Sequence, residues 1–188
     1  MCSSDLMPGQ VRRSPPLPFD PVVEAHRHWV EHGWIRAADG MAAVTSVMRA
    51  QQILLGRVDQ VLRPLDLTFS RYEVLMLLLF SRHGSLPLAR IGERLQVHPA
   101  SVTNAIDRLE AGGLVHRVPH QTDRRTTLAE LTDRGRALAG QASDRLNAEV
   151  FDRIGLDPAQ LRRLVDVLQL MRRSAGDFEI GQLQPRPE

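Results

Sequence analysis

Apolar residues return every three or four positions through most of the chain, and the places where this rhythm breaks divide it into short helical segments. Asp20 followed by Pro21 is a cap and a first helical position; Val22, Val23, His26, Trp29 and Val30 form the stripe, and Gly33 closes the segment after Glu31. Met41, Val44, Met48, Leu55, Val58 and Leu62 mark a longer helix over 41–62, ended by Pro64. Thr68 caps the next helix, with Ser70 and Glu73 offering a competing local start. Its run 74–80 is apolar on every side, which predicts a central, buried helix terminated at Gly84.

The pattern tightens over 86–131. Leu88, Ile91 and Leu95 line one face of a short segment, and a link of Gln96, Val97 and His98 joins it to PASVTNAIDRLEAG at 99–112. There Val102, Ile106 and Leu109 make the buried face, while Ser101, Thr103, Asn104, Asp107 and Arg108 lie on faces free to touch something else. Two short helices so closely joined read as a helix-turn-helix, whose second member can enter the DNA major groove. Gly112 and Gly113 stop that helix, and the stretches 114–118 and 126–131 alternate like strands around a polar, basic tip at 119–125. Helix, turn, helix and basic hairpin together make a winged helix. Beyond it, Thr132 opens a helix carrying Leu138, Leu146, Val150 and Ile154, broken by Gly155. Asp157 and Pro158 then start a last helix striped by Leu161, Leu164, Val165, Leu168 and Met171.

The predicted fold is mainly α with a small β-hairpin wing. A tail at 1–19, rich in proline and expected to be disordered, precedes N-terminal helices at 20–63. The winged helix-turn-helix occupies 64–131, C-terminal helices 132–173, and a flexible tail 174–188. The helices on either side of the winged unit carry apolar stripes with no core of their own, so a second copy of the chain is the expected cover.

Composition narrows the function classes. A net charge of +2 over 188 residues leaves no general affinity for polyanions, so basic groups must act where they cluster. All 24 basic residues are arginine, whose fork suits phosphate and guanine. The single cysteine, Cys2, excludes an intramolecular disulfide and a cysteine-rich metal knuckle. The apolar run 74–80 falls far short of the ~20 residues that span a bilayer, and no secretory leader is legible, so a cytoplasmic location is expected. No glycine-rich phosphate loop, nucleophile elbow or histidine-carboxylate pair supports an enzyme, and no cofactor is expected. Glu24, His28 and His32 recur every four residues, the spacing of a two-histidine metal face, although solvated polar positions explain the same spacing.

On Leu67 and Thr68, Ser101 to Thr103, Asp107 to Glu110, Gly113 to Val115, Arg117, Asp123 to Arg125, and Leu131 and Thr132 with Gly135, the chain resembles the MarR regulators of bacterial transcription over roughly residues 40–173. The resemblance implies a homodimeric DNA-binding regulator, most often a repressor, that holds a pseudo-palindromic operator and is released by a small molecule. It implies DNA contacts by His98, Ser101, Thr103, Asn104 and Arg108, and by the wing residues Arg124 and Arg125, with Asp123 supporting the wing. A partial likeness to the urate-type subgroup, which has an extra N-terminal helix, places Trp29, Glu73 and Arg117 in an effector pocket suited to an anionic or phenolic ligand. Ala105 stands where that subgroup has a second arginine, and Glu73 where it has aspartate. A metal-responsive regulator and a winged helix that docks on protein are the alternatives.

Overall fold

A computed structural model of the chain describes residues 16–120 and 125–179. Its contacts separate two compact units, one ending at Gly56 and the other beginning at Arg57.

In the first unit, helix α1 (Pro21–Glu31) begins where the sequence predicts, with Asp20 Oδ1 accepting from the Val22 N–H at 2.8 Å. Gly33, at φ +91°, turns the chain into α2 (Ile35–Leu62). This helix starts six residues before the predicted Met41, because nothing in 35–40 breaks it and Ala38 is fully buried there. Trp29 and Trp34 meet edge to face with centroids 5.2 Å apart, and His26 Nε2 lies 2.9 Å from Asp39 Oδ1. Many apolar side chains stay open to solvent, among them Val23, Ile35, Val44 and Met48.

The second unit holds the end of α2, then α3 (Phe69–Leu79), β1 (Ser85–Pro87), α4 (Leu88–Leu95), α5 (Pro99–Ala111), β2 (Val115–Pro119), β3 (Thr127–Leu131), α6 (Asp133–Glu149) and α7 (Pro158–Ser174), with 3-10 turns at Arg63–Leu65 and Phe151–Arg153. Leu62, Leu75, Leu78, Ile91, Ile106, Leu109 and Leu146 are its most deeply buried large side chains. Thr68 caps α3 as predicted, accepting from the Arg71 N–H. Tyr72 is buried with its hydroxyl 3.0 Å from Ser143 Oγ on α6, so the polar end of the ring is satisfied.

Three details depart from the sequence expectation. Phe80 does not continue the buried run: it is the C-cap of α3 and 78% exposed, because the helix ends at Leu79, well before Gly84. The wing is three-stranded, in the order β1-β3-β2, both pairs antiparallel. The short β1, which pairs Leu86 with Ala129, has no periodicity to reveal it, being only three residues long. Finally, α6 ends at Glu149, so Ile154 lies outside it, beyond the 3-10 turn.

Helix α7 begins with a full capping box between Asp157 and Gln160 yet buries none of its residues; Val165, Val167 and Leu170 are each more than half exposed.

Candidate nucleic-acid interface

Local chemistry sets the start of α5. Gln96 ends α4 in the left-handed region at φ +52°, its N–H bonded to the Gly92 carbonyl. His98 then caps α5 by accepting from the Ala100 N–H at its Nδ1 (3.2 Å), and Pro99 fills the first helical position. This bond requires a neutral acceptor nitrogen at Nδ1, which leaves the Nε2–H as the donor on an exposed ring. Gly92 lets the two helices close up: a Cβ there would sit 3.3 Å from Val102 Cγ2.

Val102, Ile106 and Leu109 are buried, as their spacing predicts, and this fixes the rotation of α5. Ser101, Thr103, Asn104, Asp107 and Arg108 are exposed. The Thr103 hydroxyl donates to the Pro99 carbonyl at 3.1 Å, so toward an outside group it can only accept. The Arg108 guanidinium has no hydrogen-bond or ion-pair partner among the described residues, so its fork is available. Ser101, Asn104 and Arg108 form one wall of an open cleft of about 680 Å³ whose other wall is Thr68, Ser70 and Arg71 at the start of α3.

The acids on α5 are paired by Arg117, a residue of β2. Its guanidinium bonds the Asp107 carboxylate at 2.5 Å and the Glu110 carboxylate, and its backbone N–H donates to Glu110 Oε1 at 2.9 Å. That backbone bond, outweighing desolvation and joined by the guanidinium, holds the Glu110 carboxyl below its ordinary range. Burial pulls the Arg117 pKa down, but the bonds to Asp107 and Glu110 more than restore it, leaving it above its ordinary value. Arg117 thus braces α5 against the wing and offsets one of the two negative charges beside the exposed face. The sequence offers Arg117 as an effector contact; only the folded register of β2 against α5 reveals the brace.

Arg125 is exposed at the base of the hairpin tip, while Asp123 and Arg124 lie outside the described residues. Glu73 sits half-buried on α3, and burial raises its carboxyl pKa. It lines a cleft of about 450 Å³ with Arg94, Gln96, Arg172 and Phe178, and Arg117 is not among the lining residues. Trp29 belongs to the first unit. On α1, Glu24 is engaged by Arg27 and lies 3.2 Å from His28 Nε2, whereas the His32 ring packs edge-on against Trp34 at 4.1 Å. The described residues contain no metal-ligating group of three or more His, Cys, Asp or Glu side chains. No described helix is long and apolar enough to cross a membrane.

Comparison with known proteins agrees with this geometry. The model of the MarR family matches residues 67–127. Sco5413, a MarR family transcriptional regulator of Streptomyces coelicolor, is 49% identical, covers 75% of this chain and 98% of its own, and superposes with a TM-score of 0.68. Sco3205 of the same organism, a MarR family regulator crystallised with DNA, is 25% identical over 79% of this chain and 90% of its own, with a TM-score of 0.65. CouR of Rhodococcus jostii, whose structure holds p-coumaroyl-CoA, is 27% identical over 66% of this chain and 87% of its own, with a TM-score of 0.59.

Proposed function

The chain belongs to the MarR family of transcriptional regulators, and from that premise we propose that it is a homodimeric repressor whose two α5 helices read a pseudo-palindromic operator and which a small anionic or phenolic molecule releases. The observation that carries the reading is the outer face of α5: Ser101, Asn104 and Arg108 are exposed, while Arg117 engages both acids beside them and offsets one of their two charges. Asn104 suits adenine and Arg108 guanine in the major groove. Ser101 and the Nε2–H of His98 meet phosphate or base edges, Thr103 accepts from a base amino group, and Arg124 and Arg125 carry the wing to the minor groove with Asp123 in support.

Dimerisation follows from what the single chain leaves uncovered. Val23, Ile35, Val44 and Met48 near the N-terminus, and Val165, Val167 and Leu170 on α7, are apolar and exposed in numbers that a monomer rarely tolerates. A second copy would cover them, and a two-fold axis would space the recognition helices by about one DNA turn, ~34 Å. The release step rests on the family and on CouR, which binds an acyl-CoA thioester of a phenolic acid. Of the residues the urate-type likeness offers, Glu73 is the one proposed to meet the ligand, in its cleft within the second unit, with Arg117 serving the α5 brace.

The test is a mobility shift on the DNA flanking its own gene, paired with sedimentation of the free protein. A dimer that binds one fragment with a Kd at least a hundredfold below that for random DNA, and loses it to a thermal-shift hit, supports the reading. The Arg124→Ala variant should bind all sequences more weakly and lower the salt slope by about one. A monomer, or equal affinity for all fragments at low salt, refutes the reading.

A further inference from the structure

Past α7 the chain folds back onto the DNA-reading unit. Gly176, at φ +76°, turns it, and the Gly176 and Asp177 N–H groups donate to the carbonyls of Arg173 and Arg172, both at 3.0 Å. Arg172 Nε then bonds Asp177 Oδ2 at 2.5 Å, and the guanidinium carbon lies 5.4 Å above the Phe178 ring. The Gln96 side-chain amide donates to the Asp177 backbone carbonyl, joining positions 81 apart in sequence.

Gln96 is where such a bond has leverage. It occupies the left-handed region, which non-glycine residues adopt at a cost, and it stands two residues before the His98 cap that starts α5. A side-chain bond to a fixed carbonyl holds that conformation and with it the entry angle of α5. We propose that Arg172, Asp177 and Gln96 form a strap by which the end of α7 positions the turn of the helix-turn-helix. The proposal rests on the DNA-binding reading above. Ser101, Asn104 and Arg108 take no part in the strap, so it supports the reading face and does not cover it. Because α7 exposes an apolar side, whatever covers that side is connected to the turn through the five-residue interval between Arg172 and Asp177.

The experiment uses the full-length chain and the variants Gln96→Ala, Asp177→Asn and their combination, with Gln96→Gly as a control that relieves the positive φ while also removing the amide. Asp177→Asn keeps the backbone carbonyl and removes only the charge pair. Amide hydrogen exchange at 96–98, measured without DNA, should quicken in Gln96→Ala and Asp177→Asn. Operator affinity should fall about fivefold in each, the worth of one hydrogen bond, with the salt slope unchanged because no phosphate contact is lost. The double variant should bind no more weakly than either single one, as members of one unit do. Unchanged exchange, tighter binding, additive losses or a slope reduced by about one would each overturn the strap. A wild-type protein that binds no specific DNA would refute the function above, yet the exchange measurement would still decide whether the strap holds the turn.

Discussion

Gly135, in the first turn of α6, sets two opposing effects against each other. Helix propensity alone says that Gly135→Ala stabilises the chain, by up to about 1 kcal/mol. The packing says the reverse. A Cβ at Gly135 would lie 2.0 Å from the Leu114 carbonyl oxygen and 2.8 Å from Leu131 Cδ1, whereas carbon and oxygen normally approach to about 3.3 Å. Backbone must therefore move by more than an ångström. That carbonyl is also held by the Thr132 N–H and the Thr132 hydroxyl, each at 3.1 Å, so it cannot yield without releasing them. Overpacking costs about 1–3 kcal/mol, and each weakened hydrogen bond adds about 1 kcal/mol. After the propensity gain the net loss is about 2–4 kcal/mol, which lowers the Tm of a chain this size by roughly 5–15 °C. Leu114 leads directly into β2, so operator affinity should fall as well. Gly140→Ala, in the same helix with nothing within 4 Å of the added methyl, is the control and should be neutral or stabilising. Thermal and urea denaturation of both variants decides the matter. A Gly135→Ala protein as stable as wild type would refute the packing argument.

Other outcomes follow from the interface. Arg117→Ala should weaken operator binding by freeing two acids beside the phosphates, and adding Asp107→Asn should restore part of the loss; unchanged affinity in the single variant would remove the brace. Because Glu110 is held below its ordinary range, the pair's contribution to stability is present above that range and lost as pH falls through the lowered value, so the melting difference between wild type and Arg117→Ala should close in acid. Against operators carrying single-base changes, Arg108→Ala and Asn104→Ala should each lose about 1–3 kcal/mol of discrimination at one base pair and keep it elsewhere. A uniform loss across all operators would mean that these residues meet phosphate. Burial raises the Glu73 carboxyl, so its cost to the fold builds as pH rises from the ordinary carboxylate value and is complete once pH has passed the raised one. Glu73→Gln should therefore raise the melting temperature at neutral pH and leave it unchanged below the ordinary carboxylate range.

Local rules carried much of the architecture. The caps at Asp20, Thr68, Thr132 and Asp157, and the stripe of Val102, Ile106 and Leu109, were legible in the sequence because each depends on residues within one helical turn. Once that stripe is buried, the rotation of α5 follows, and with it the exposure of Ser101, Asn104 and Arg108. Tertiary structure alone decided what depends on distant partners. The strand Ser85–Pro87 exists because β3 offers it an edge, and Phe80 is exposed because α3 ends one residue before it. Arg117 meets Asp107 and Glu110 only through the register of β2 against α5. The Gln96 bond to Asp177 joins positions 81 apart in the chain. Periodicity reports which side of an element is apolar, but a hydrogen bond between segments far apart in the chain depends on where each backbone comes to rest, and no local pattern encodes that.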